Sequence, residues 1–158
     1  MDYEKIIAEA NAELRECDKQ SAPLYSLDGV VAPAKCYQVY DADTCRVAMS
    51  LHGDLVSWKV RIQHFDSAEL RTRDPVEKKL AIAAKARTVE LIDGKVCCVS
   101  FGKFDKYGRV LVKITNPEGL DVGSVILAEQ LGYPYEGGTK NTDWETLAKK
   151  RKEYLLTL

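Results

Sequence analysis

The sequence predicts an α+β chain, mainly a small β-barrel with helices attached. Three observations carry this. Short segments alternate apolar and polar residues, as in Leu55, Val56, Trp58, Val60 and Ile62, the pattern of a half-buried strand. Turn residues punctuate them, as at His52-Gly53-Asp54 and Asp105 to Gly108. One long stretch rich in Ala, Lys, Glu and Leu, Val76 to Ile92, interrupts the strands and reads as helix.

A length of 158 residues suits one domain with one developed core, and 46% hydrophobic with 30% charged residues predicts a folded rather than disordered chain. Residues 1–29 read as an N-terminal helix and connector, and residues 30–158 as the barrel domain. In the first part, Tyr3, Ile6, Ile7, Ala10, Leu14 and Cys17 form one helical stripe. That stripe is expected to pack back onto the domain, with a partner helix in a dimer as the alternative; a monomer is favoured. Lys19 to Gly29, with Pro23, Ser21 and Ser26, reads as a connector.

Strands are expected at Val30–Tyr40, Thr44–Leu51 and Leu55–Phe65, the last two joined as a hairpin. Asp74 as N-cap and Pro75 at the first helical position start the helix, and Asp93-Gly94 end it. Lys95–Phe104 and Arg109–Thr115 read as two more strands, turning at Gly108. Ser124–Leu131 reads as a short helix, Tyr133 to Gly138 as irregular, and Asn141–Leu156 as a last helix. Five short strands with one helix after the third and helices after the last point to an OB-type barrel.

The third strand carries unusual cargo for a core element. It holds Arg61 and leads into Asp66 and Glu69. Two other charged segments, Asp41-Ala42-Asp43-Thr44 and Asp105 to Arg109, bring the inventory to several acids and two arginines, without spare histidine ligands. That set suits a hard, oxygen-ligated ion and a phosphate better than zinc or a nucleophilic triad.

In order and spacing these strings resemble the staphylococcal (micrococcal) nuclease family. The resemblance runs through Val39 to Thr44, Val60 to Glu69, Asp105 to Arg109 and Leu131 to Tyr135, and covers most of the chain from Val30. It implies that Asp43 and Asp66 are carboxylate ligands of a calcium ion, with the Ser67 carbonyl a third ligand and Asp41 behind them. It implies that Glu69 is the general base or water-orienting carboxylate and that Arg61 and Arg109 grip the phosphate. Lys106, Tyr107, Tyr133 and Tyr135 fall where the family contacts the nucleotide. The implied reaction is hydrolysis of DNA or RNA, leaving 3′-phosphate ends, with single-stranded stretches as the expected substrate. Relatives can also lose catalysis and act as nucleic-acid or protein-binding modules. The chain departs from the family at Ala42, commonly Gly, and Ala68, commonly Pro. Ala42 would be strained if the turn needs positive φ, and Ala68 lacks a stiffening ring; both would loosen metal binding.

Simpler readings exist for several residues. Tyr133 and Tyr135 read equally as packing under the last helix. His64, Trp58 and Trp144 read as structural, and Lys149 to Lys152 as a solvated helix face. A net charge of −1 argues against a broad duplex-binding surface but permits a local phosphate grip. Five cysteines without ligand spacing argue against a zinc site or disulfide framework. No apolar run approaches the ~18 residues of a membrane span. Residues 1–16 lack a basic-then-apolar leader pattern, so an intracellular, reducing location is expected.

Overall fold

The computed structural model describes residues 1–158. Five strands form a closed barrel: β1 (Val31–Asp41), β2 (Thr44–Leu51), β3 (Asp54–Ile62), β5 (Val96–Phe104) and β6 (Val110–Thr115), in the order β1-β2-β3-β6-β5. All pairings are antiparallel except β3 with β6. This is the α+β, OB-like barrel that the strand pattern predicts. Alternate residues of each strand fill its interior: Cys45, Val47 and Met49 from β2, Val60 and Ile62 from β3, Val110, Val112 and Ile114 from β6. Cys36 and Cys97 are buried there as free thiols, while Cys98, the neighbour of Cys97, faces outward. Burial pushes the Cys97 thiol up to about 12.

The third predicted strand is in fact two. β3 stops at Ile62, His64 takes φ +79°, and a separate strand β4 (His64–Asp66) leaves the barrel. β4 pairs with β7 (Tyr133–Tyr135), the segment read from sequence as irregular, through His64↔Tyr135, Phe65↔Pro134 and Asp66↔Tyr133. Phe65 stays fully buried and Asp66 nearly so, although β4 lies outside the barrel sheet.

α3 (Pro75–Ile92) starts at Asp74, whose carboxylate accepts the Val76 N–H. α4 (Val122–Ala128) begins earlier and ends earlier than the Ser124–Leu131 expectation, because Asp121 caps it and Gln130 turns left-handed at φ +57°. α5 (Trp144–Leu156) begins at the Asp143 cap. Between α3 and α5, Ala68, Leu80, Ala81, Tyr133, Trp144 and Leu147 form a second core. Trp58 packs edge-on against Phe104, in the structural role expected of it.

The N-terminal expectation needs correction. The single helix is two short ones, α1 (Tyr3–Ala8) and α2 (Ala12–Glu16), because Asn11 caps a new start by accepting the Leu14 N–H. Their apolar stripe does not pack back onto the domain: Tyr3, Ile6, Ile7 and Leu14 are all exposed. The connector, by contrast, sends Leu27 into the main core.

Candidate functional site

Three loops meet at one side of the barrel. The two-residue turn Ala42-Asp43 joins β1 to β2 and sets Thr44 opposite Arg61 on β3. Ala42 does not have positive φ, so the strain expected from the Gly-to-Ala departure does not arise. It is buried, and its carbonyl accepts the Thr88 hydroxyl of α3 at 2.8 Å, which ties the turn to the helix. Ala68 is likewise held by packing in the second core.

Arg61 is the centre of the cluster. Its guanidinium donates to the carbonyls of Ile62 and Phe65, bracing the β3–β4 kink. Nη2, the donor to Phe65, also faces Asp43 at 3.3 Å and Asp66 at 3.6 Å, so the two acids share one cationic nitrogen. All three side chains are nearly buried, at 11%, 12% and 5% exposure, so the pairing is little screened by water. Asp66 reaches this point because Gly132 lets the chain pass behind it. A Cβ on Gly132 would lie 2.8 Å from the Asp66 carbonyl oxygen.

Arg109 arrives from the turn before β6. Its Nε donates to Asp105 at 2.7 Å and its Nη1 to the Thr44 hydroxyl at 3.4 Å. Thr44 in turn donates to Asp43 at 2.8 Å. Burial works against the Asp105 charge, but N–H groups of Arg109 and Tyr107 and the Arg109 guanidinium hold its carboxyl below the usual range. One polar chain therefore runs Asp105–Arg109–Thr44–Asp43–Arg61–Asp66. Asp41 lies at its edge, accepting the Asp43 N–H, and burial followed by the adjacent Asp43 carboxylate pushes its own carboxyl up to about 7.

An open cavity of about 260 Å³ borders the arginines, lined also by Lys106, Tyr107 and Tyr135. Arg109 and Lys106 lie 5.6 and 5.1 Å from the Tyr107 ring centre, and Arg61 lies 5.8 Å from that of Tyr135. Both tyrosines thus sit beside cations, and Tyr107 is 72% exposed.

No protein-family model and no curated protein matches the chain.

The remaining expected site residues fall less centrally. Tyr133 is buried, tilted against Trp144, with its hydroxyl donating to the Asp143 carbonyl. Its side chain packs in the second core, the structural role weighed for it. Ser67 is buried beside Asp66. Glu69 is exposed; its N–H donates to Glu77, and its carboxylate makes no hydrogen bond or ion pair. His64 pairs with Glu136 at 2.8 Å on the surface. Sequence reading missed three participants: Thr44 as the link between arginine and acid, Asp105 as the anchor of Arg109, and Lys140, whose Nζ lies 3.0 Å from Asp66. Asp105 had a local signal, an acid four residues before Arg109 across a Gly turn. Lys140 had none.

No three His, Cys, Asp or Glu side chains group as a ready-made metal cage. The donor set is instead two carboxylates, Asp43 and Asp66, that converge on Arg61, with Lys140 also on Asp66. Such a set fits a hard divalent ion that completes its shell with carbonyl, water and phosphate oxygens, and not a soft metal.

Proposed function

We propose that the protein is a calcium-dependent, sequence-nonspecific nuclease that hydrolyses phosphodiester bonds of DNA or RNA and leaves 3′-phosphate ends. The observation that carries this is the polar chain from Arg109 to Asp66, in which two arginines line a cavity with Tyr107 and Tyr135 and link back to two nearly buried acids, Asp43 and Asp66. The motif resemblance to the staphylococcal nuclease family supports the same reading.

Each residue then has a task. Asp43 and Asp66 hold the cation, with the Ser67 carbonyl beside them and Asp41 behind. A calcium ion there would neutralise phosphate charge and help position water. Arg61 and Arg109 contact non-bridging phosphate oxygens and tighten as charge builds in the five-coordinate transition state. Glu69, free of other partners, accepts the proton of the attacking water. Tyr107 and Tyr135 offer faces on which any base stacks, and Lys106 adds charge near the phosphate. A cavity of this size, on a molecule of net charge −1, suits a short single-stranded stretch rather than a duplex footprint.

The test is digestion of single-stranded DNA with calcium and with chelator. Cleavage in calcium alone, ending in 3′-phosphates, is expected; full activity in chelator refutes the metal-dependent mechanism. One observation favours a second reading, a catalytically weak OB-type binding module: the Glu69 carboxylate has no contact with the cluster. Glu69→Gln separates the two. Loss of cleavage with binding retained supports catalysis, whereas tight binding without cleavage by the unaltered protein supports the module.

A further inference from the structure

A third cation closes the cluster. Lys140 lies in the loop between β7 and α5, with its Nζ 3.0 Å from Asp66 Oδ1 and 5.6 Å from the Tyr135 ring centre. Asp66 is 5% exposed and Lys140 44%, so the acid is fixed and the ammonium is the partner free to leave. The loop that delivers Lys140 passes through Gly137 at φ +102° and Gly138 at φ +82°, with the Gly138 carbonyl accepting the Tyr135 hydroxyl at 3.1 Å. Arg61 does not share the ammonium's freedom to leave, being bound to the Ile62 and Phe65 carbonyls.

Resting on the cation site of the nuclease reading, we infer that Lys140 is that site's internal counter-ion. A divalent cation enters by displacing Nζ from Asp66, so Lys140 sets the affinity of the site and its preference for divalent over monovalent ions. The physical reason is a comparison of charges against one carboxylate. Sodium or potassium brings the same single charge as the ammonium and gains nothing by replacing it. A divalent ion brings twice the charge and approaches oxygen at ~2.4 Å, closer than the ammonium does. The exchange is therefore favourable for the divalent ion alone, but its affinity is lowered by the ion pair that must first be broken.

The test is calorimetric titration of calcium chloride into the protein without nucleic acid. Lys140→Met is expected to bind calcium about tenfold more tightly than the unaltered chain, the worth of one charge-assisted hydrogen bond. Lys140→Arg should stay near the unaltered value, and added potassium chloride should weaken calcium binding more in Lys140→Met. The melting temperature of Lys140→Met should also rise further on adding calcium. Lys140 is half-exposed on a loop, so the variant should fold; Lys140→Gln, checked by circular dichroism, serves as the second variant. Equal calcium affinity in all forms overturns the counter-ion role while leaving the cation site standing. Weaker binding by Lys140→Met also overturns it, making Lys140 a support of the site. No calcium binding by any form removes both the cation site and this inference.

Discussion

Removing Arg61 would leave Asp43 and Asp66, both nearly buried, facing one another without their shared partner. Arg61→Ala should therefore cost about 3 kcal/mol of stability in addition to its effect on turnover, because Asp43 stays behind as a nearly buried charge with only the Thr44 hydroxyl, and Asp66 keeps only Lys140. Urea denaturation should show that loss, and calcium should relieve part of it by pairing the acids again. Arg109 tests the chemistry more cleanly, since its side-chain bonds go only to Asp105 and Thr44 at the rim. Arg109→Ala should lower turnover on single-stranded DNA by about a hundredfold or more with little change in melting temperature, the usual cost of losing one transition-state donor. Asp105→Asn keeps the guanidinium but weakens its anchor, so a smaller loss, about tenfold, is expected. Near-normal kcat in Arg109→Ala would remove Arg109 from the phosphate.

At the scale of elements, the site depends on a strand that leaves the barrel. β4 and β7 can lie together only because Gly132 has no Cβ to meet the Asp66 carbonyl at 2.8 Å and Ile126 Cγ2 at 3.1 Å. Gly132→Ala should cost about 1–3 kcal/mol as overpacking and shift Asp66, so calcium affinity should fall with stability. Gly123→Ala is the milder comparison: its nearest neighbour would be the Gln63 carbonyl oxygen at 3.3 Å, tight but longer than the 2.8 Å at Gly132, so a smaller loss is expected. Urea melts and calcium titrations of both variants check this. The same region marks the limit of what the sequence discloses. The barrel strands are legible because alternation and turn residues are local signals. The break at Gln63-His64 is not, because neither residue is Gly or Pro and His64 adopts φ +79° only with β7 to pair against. For the same reason Arg61, Asp43 and Asp66 could be named from their strings, while Lys140 could not. Its contact with Asp66 spans three strands and two helices, and no local pattern announces it. The packing of Tyr133 is not legible either, because its partners, Trp144 and the Asp143 carbonyl, lie at the start of α5.

For the whole molecule, the question is where the cooperative unit begins. α1 and α2 bury no residue, and their hydrogen bonds close within the segment, as in Arg15 donating to the Ile7 and Ala10 carbonyls. Eleven residues beyond the end of α2, at Leu27, the connector changes character. Leu27 is 1% exposed, its carbonyl accepts the Val30 N–H, and the Gly29 N–H donates to the Phe101 carbonyl on β5. A side chain that deep fills the barrel core; a helix that exposed adds nothing to it. Deleting residues 1–17 should therefore leave the unfolding midpoint in urea and the slope of the transition unchanged, since no surface buried in the barrel is lost. Leu27→Ala in the full chain should lower stability by about 2–4 kcal/mol through the cavity it leaves. A lower midpoint after the deletion would place α1 and α2 inside the folding unit, against their exposure. An unchanged midpoint in Leu27→Ala would show that the barrel closes without its connector.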